Sequence, residues 1–238
     1  MVRTRPLWRS RAEAGEALAR SFRDLQGQPD TILMALPRGG VPVAVAMADS
    51  LGLPVATWAV RKLAHPSSLE FGIGAVAPGG VILWDLDDEG LGLLPETTKA
   101  WLAREQQREL RRRQAVFGDP PGDALRGCHL VVVDDGIATG MTAKAALRSL
   151  RLLKPASLAL GVPVMDRRVV PDLEHLVDRL EALAVVDRLR AVGEWFCEFG
   201  QLDDGEVIHL LDRHRWGVGR LGRGWPITLI MPGQPPLL

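Results

Sequence analysis

The segment Leu130-Val-Val-Val-Asp-Asp-Gly-Ile-Ala-Thr-Gly-Met-Thr142 constrains the fold of this chain more than any other stretch. Its opening apolar run, with no polar alternation, reads as a strand buried on both faces, as in the middle of a parallel sheet. Two acids follow at the carboxyl end, then a loop of small residues, then a helix start. In open α/β sheets, ligands collect at the carboxyl ends of the strands. Ala138 to Thr142 offer successive backbone N–H groups at a helix N-terminus, an arrangement that cradles phosphate. Gly136 and Gly140 let the backbone approach an anion closely. Thr139 and Thr142 add hydroxyl donors, and Met141 lies between the last glycine and threonine. Asp134 and Asp135 would repel a phosphate but suit sugar hydroxyls or a metal ion. A ribose 5-phosphate satisfies both halves. An Asp pair at a strand end also occurs in Walker B segments and receiver-like domains, but the sequence has no GxxxxGK[ST] loop to complete the first of these.

The rest of the chain repeats the strand-then-helix order. Ser10-Arg-Ala-Glu13 is a capping-box pattern ahead of an amphipathic helix over residues 11–25. Thr31–Leu36 reads as a strand, Pro37-Arg-Gly-Gly40 as a turn, and Pro42 as the first turn of a helix to about Leu51. Val55–Val60 is the next strand, so a βαβ unit and a parallel sheet are expected. Phe71–Ala77 and Val81–Trp84 resemble a hairpin, and residues 96–116 a long polar helix. Beyond Thr142–Leu153, strands are expected at Ser157–Val164 and Ala182–Val186, with a helix over Arg167–Arg179 between them. A last helix follows Asp203-Asp-Gly-Glu206. The fold class is therefore α/β, an open and mostly parallel sheet with flanking helices. One domain is expected over residues 1–214, with a core at about 29–187 and a hood from flanking segments including about 188–214. A Gly- and Pro-rich tail over 215–238 is given no role.

The apolar run, the Asp-Asp pair and the Ala-Thr-Gly-x-Thr loop together resemble the motif by which type I phosphoribosyltransferases bind 5-phosphoribosyl-1-diphosphate (PRPP). Val60 through Ala77 and Gly193-Glu-Trp-Phe-Cys-Glu-Phe-Gly-Gln201 resemble an uncharacterised bacterial branch of that family. The resemblance covers roughly residues 8–212. It implies the family's sheet with a small hood. It implies that Asp134 and Asp135 bind the ribose hydroxyls, that residues 138–142 (Ala138, Thr139, Gly140, Met141, Thr142) bind the 5-phosphate, and that Gly136 belongs to the same PRPP site. The family holds the diphosphate of PRPP with the loop after its first core strand, here Arg38, Gly39 and Gly40. Lys62, with Arg61, is implied at the diphosphate or its Mg²⁺-bound form. Trp195 and Phe196 are candidates to stack on an acceptor base from the hood; packing of the hood onto the core is the plainer role for both. A mobile segment between Arg61 and Phe71, with Pro66, Ser67 and Ser68, is expected to act as a lid.

Composition narrows the partners. Lys plus Arg and Asp plus Glu number 29 each, so no global field favours nucleic acid or an anionic membrane. Arg111-Arg-Arg113, on a helix laced with Glu, reads as a solvated face. Asp85, Asp87, Asp88 and Glu89 could hold a metal but read better as a solvated loop. Cys128 and Cys197 read as free thiols in a reducing cytosol. With no apolar leader and no run of about 18 apolar residues, a cytoplasmic protein is expected. The expectation is a Mg²⁺-dependent transferase, with PRPP and a nitrogenous base as partners and Arg38, Lys62, Asp134 and Asp135 as catalytic groups. A homodimer is expected. The competing class is a PRPP sensor without turnover; hydrolysis or phosphoryl chemistry on a nucleotide at the same site is a third.

Overall fold

The computed structural model describes residues 6–85 and 94–215, with the side chains of 69–71 excepted. The acidic residues Asp87, Asp88 and Glu89 and nearly all of the tail lie outside the described residues. Five strands form a parallel sheet in the order β2-β1-β6-β7-β8: β1 (Thr31–Ala35), β2 (Val55–Thr57), β6 (His129–Val133), β7 (Ser157–Asp166) and β8 (Arg179–Val186). The expected α/β architecture is the observed one. The apolar runs are buried on both faces because each face has its own helical layer. Ile32, Met34, Leu130 and Val132 point into one core cluster with helix α4 (Met141–Leu152). Leu33, Ala35, Val131 and Val133 point into the other, with α1 (Arg11–Ala19), α2 (Gly40–Leu51) and α6 (Asp204–Leu211). This is the period-two alternation of strand side chains, with both sets apolar. Each fully buried aliphatic side chain contributes about 1.5–3 kcal/mol.

A second sheet is antiparallel, in the order β3-β4-β5: β3 (Arg61–His65), β4 (Ser68–Ala77) and β5 (Val81–Trp84). The expected hairpin is present, and the segment named as a lid carries a strand, β3, that the sequence did not reveal. Residues 61–65 pair with β4, with register shifts on either side of Ala64. Leu63 alone in β3 is fully buried, so the strand carries almost no hydrophobic pattern to read. The long helix α3 (Glu96–Phe117) packs over this sheet and ends at Gly118 in the left-handed region, φ 70°. The region expected as a helix over 167–179 holds a short 3-10 turn and the five-residue α5 (Val170–Glu174), because β8 already begins at Arg179.

The hood is built from both flanks of the core. Leu7 and Trp8 donate to the Trp195 carbonyl (3.0 and 3.3 Å), Cys197 donates to Trp8, and Glu198 donates to Arg9. The N-terminal strip thereby ties residues 195–198 across the carboxyl edge of the sheet. No helix among the described residues is long and apolar enough to cross a membrane.

Candidate active site

Two loops meet at the carboxyl edge of neighbouring strands β1 and β6. The Leu36 N–H donates to the Val133 carbonyl at 2.9 Å, which carries the pairing one residue past β1. The chain then turns through Pro37-Arg-Gly-Gly40, where the Pro37–Arg38 peptide is cis, into α2. Gly39 lies so close to the Asp135 carboxylate that an added Cβ would collide with it. At Gly40 a Cβ would collide with the Val133 carbonyl and crowd the Asp134 backbone. Close approach to backbone requires glycine at 40, whereas at 39 a side chain would displace the Asp135 carboxylate; the sequence offered this stretch only as a turn. The expected diphosphate loop and the expected ribose acids are thus direct neighbours.

After β6 the chain meets β7 again at Ile137. The Ile137 N–H donates to Val164 and the Asp166 N–H to Ile137, both at 2.9 Å. Gly136 is roofed by Val192 of the hood and by Val164. Ala138 and Thr139 then lead to Gly140, which N-caps α4 at φ 74°, a conformation that glycine adopts without penalty. Thr139 is exposed, and Met141 and Thr142 are half-buried in the first turn of α4. That turn presents N–H groups with no intrahelical acceptor, as every helix start does.

The acid pair is electrostatically loaded. Burial, then the charge of Asp135, raises Asp134 well above the usual carboxylate range. Burial also raises Asp135, against the opposing pull of Arg11. Arg11 is the residue that sequence reasoning missed. Its Nε donates to Asp135 Oδ2 at 2.8 Å, its NH1 donates to the Gly200 carbonyl at 3.0 Å, and its guanidinium lies over the Phe199 ring at 3.7 Å. In the sequence Arg11 was only the second residue of a capping pattern, 124 positions from its partner. Asp166 was missed too. It is fully buried at the end of β7 and accepts from the Arg168 backbone and side chain and from the Leu189 N–H. Hydrogen bonds from Arg168 hold it far below the usual carboxylate range. It fastens the start of the hood to the sheet.

The other site candidates divide. Arg38 reaches Asp204 at the start of α6, 3.6 Å away. Arg61 is half-buried against α3, its Nε donating to Gln106 at 3.1 Å. Lys62, next along β3, runs its stem over Gly72 of β4. Asp119 secures this region: it accepts from Thr57 Oγ1 and the Ala59 N–H, both at 2.7 Å, and burial pushes its carboxyl up to about 7. In the hood, Trp195 is half-buried, whereas Phe196 is 4% exposed, with Trp8 and Phe199 against it at centroid distances of 5.6 and 5.2 Å. Packing is the role this geometry gives Phe196.

Known proteins point the same way. The family model described as the phosphoribosyl transferase domain matches residues 9–186. Two proteins from strains of Mycobacterium tuberculosis, provisionally named phosphoribosyl transferases, are each 37% identical to this chain over 212 residues. That stretch is 88% of this chain and 47% of each of theirs, so the chain spans about half the length of these curated relatives. A crystal structure from Thermus thermophilus is similar over 88% of this chain and 99% of its own, with a TM-score of 0.69 and 31% identity.

Proposed function

Since this chain belongs to the phosphoribosyl transferase domain family, we propose that it binds PRPP and transfers phosphoribose to or from a nitrogenous base, with diphosphate as co-product. The observation that carries this reading is the contact of Gly39 and Gly40 with residues 133–135. The contact supports a reading in which one ligand meets the loop that carries Arg38 together with the acids Asp134 and Asp135. In this reading the N–H groups of residues 138–142 take the 5-phosphate, and Asp134 and Asp135 take the 2′- and 3′-hydroxyls. Diphosphate departs with the electron pair of the C1–O bond, toward Arg38 and Arg61, through an oxocarbenium-like ribose; the base nitrogen bonds to C1 with its own electron pair and releases its proton to diphosphate or water. The fixed charges of Arg38 and Arg61 stabilise the departing group, and Asp135 opposes the positive charge on the sugar. Lys62 is retained in the proposal as a further cation for the diphosphate.

Mg²⁺ fits this chain as an ion carried in with phosphate. Among the described residues no group of three or more His, Cys, Asp or Glu could hold a metal ion. Mg²⁺ is ordinarily held by one or two carboxylates together with substrate phosphates, and Asp134 and Asp135 supply such a pair. When bound it would offset the charge of the leaving diphosphate.

One observation favours the sensor reading as an alternative. Arg11 occupies the Asp135 carboxylate and stacks on the Phe199 ring, so one of the two proposed ribose acids is already engaged within the protein. The two readings separate by turnover. PRPP is incubated with Mg²⁺ and a panel of purine and pyrimidine bases, and nucleotide and diphosphate are measured. Equimolar appearance of both, dependent on the base, supports the transferase. PRPP binding with no turnover for any base puts the sensor ahead.

A further inference from the structure

The sequence gives Arg112 and Arg113 to a solvated helix face, but the fold brings them to the diphosphate loop. Four guanidinium groups gather from three elements: Arg38 from the loop after β1, Arg61 from β3, and Arg112 and Arg113 from α3. Two carboxylates are placed among them. Glu109 takes Arg112 at 2.8 Å and Arg113 at 3.2 Å. Asp204 lies between Arg38 and Arg112, at 3.6 Å from each. Those two separations are within ion-pair range but too long for hydrogen bonds. Asp204 Oδ1 is also secluded from solvent, and no hydrogen bond reaches it. The cations outnumber the anions and repel one another: burial lowers the Arg61 guanidinium, and Arg113, Arg112 and Arg38 lower it further. Guanidinium forks match phosphate oxygens in pairs. Glu109 already takes the Arg112 fork, through Nε at 2.8 Å and NH2 at 2.9 Å, so the capacity that Asp204 leaves unmet at 3.6 Å is that of Arg38 and of the outer N–H groups of Arg112.

We propose that Arg38, Arg61, Arg112 and Arg113 form a subsite for the outer phosphates of an oligophosphate chain, in which Asp204 stands between Arg38 and Arg112 where a phosphate group binds. The inference rests on the reading above in one respect, that the inner phosphates lie at Gly39 and Gly40. It extends that reading by adding α3 to the anion site and by favouring ligands with more than two linked phosphates. Asp204 is then an internal competitor. The N-cap of α6 is Asp203, so an amide at position 204 leaves the capping box with Glu206 intact.

The test is a calorimetric titration with orthophosphate, diphosphate, tripolyphosphate, ribose 5-phosphate and PRPP. It uses the wild type, Arg112→Gln, the double variant Arg112→Gln/Arg113→Gln, and Asp204→Asn. Wild type is expected to bind tripolyphosphate more tightly than diphosphate, and orthophosphate least. Each arginine variant is expected to lose about tenfold or more on tripolyphosphate, the scale of one charge-assisted hydrogen bond, and to keep its ribose 5-phosphate affinity. Asp204→Asn is expected to bind tripolyphosphate more tightly than wild type. Arg112 is half exposed, so its single variant decides the matter if the double variant fails to fold. Wild-type tripolyphosphate affinity in Arg112→Gln, or weaker binding in Asp204→Asn, would overturn the proposal. If PRPP binds normally in that case, the phosphoribosyl reading stands without the subsite. If tripolyphosphate behaves as expected while PRPP and ribose 5-phosphate do not bind, the subsite stands and the phosphoribosyl reading falls.

Discussion

The Arg11 Nε lies 2.8 Å from Asp135 Oδ2, with both side chains nearly closed to solvent, and this single ion pair ties the first helix to the carboxyl edge of the sheet. Removing one partner of such a pair leaves the other charge buried and uncompensated. Arg11→Ala is therefore expected to lower stability by roughly 2–4 kcal/mol at pH 8. Without Arg11 the main opposition to the effect of burial on Asp135 is gone, so its carboxyl rises further. A group raised in the folded state contributes stability at low pH that is lost as pH rises through its folded value. The deficit should therefore be smaller at pH 5 than at pH 8. Melting curves at the two pH values check this; an equal deficit at both would mean that Arg11 acts through packing on Phe199.

Gly39→Ala is the sharpest probe of the meeting of the two loops. Its Cβ would enter the space of the Asp135 carboxylate. Overpacking of this kind costs about 1–3 kcal/mol. PRPP affinity should fall by more than the affinity for ribose 5-phosphate, because the displaced loop is the one given to diphosphate. Calorimetric titration of both ligands gives the comparison, and equal losses would count against that assignment of the loop.

Asp119 sets a pH dependence of its own. Burial raises its carboxyl to about 7, so the stability it contributes is complete below its unfolded value, near 4, and is lost as pH rises through about 7. Wild type should therefore lose stability between pH 5 and 8, by an amount on the order of a few kcal/mol. Asp119→Asn should flatten that profile. Its amide oxygen can accept from the Ala59 N–H, and its NH₂ can donate to Thr57 Oγ1. Denaturant titrations across the range read this directly, and an unchanged slope in the variant would remove Asp119 as the cause.

Trp195 distinguishes a hood that merely covers from one that binds an acceptor. Its backbone is fixed by Leu7 and Trp8, so truncation of the ring leaves the chain path in place. If the ring stacks on a base, Trp195→Ala should cost about 1–3 kcal/mol of base binding and leave PRPP affinity nearly unchanged. Fluorescence titration of Trp195→Phe, and calorimetry of Trp195→Ala, with bases in the presence of diphosphate measure it. Base binding equal to wild type would return Trp195 to packing.

What could be read in the sequence was whatever repeats locally. The apolar runs of β1 and β6, the glycine turn at 37–40 and the loop after Asp135 each declare themselves within about a dozen residues, and they give both the sheet and the two loops that meet. Contacts of long sequence separation did not show. Arg11 and Asp135 are 124 positions apart, and no local pattern marks either as the partner of the other. Arg112 and Arg113 looked solvated because Glu109 lies one turn away, and only the packing of α3 against β3 and α6 brings Arg61, Arg38 and Asp204 to them. β3 did not show in the sequence because an edge strand with one buried side chain carries no hydrophobic alternation.

The most direct measurement is calorimetric titration of PRPP, with Mg²⁺, into wild type and into the double variant Asp134→Asn/Asp135→Asn, alongside their melting temperatures. The two changes oppose each other in stability, since one relieves a buried acid and the other breaks the pair with Arg11. The melting temperature is therefore expected to stay within roughly 5 °C. PRPP affinity is expected to fall at least about tenfold, or about 1.4 kcal/mol. Saturable wild-type binding that is lost in a folded double variant is the expected result. Wild-type PRPP affinity in that variant, or no PRPP binding by the wild type, would contradict the assignment of this site.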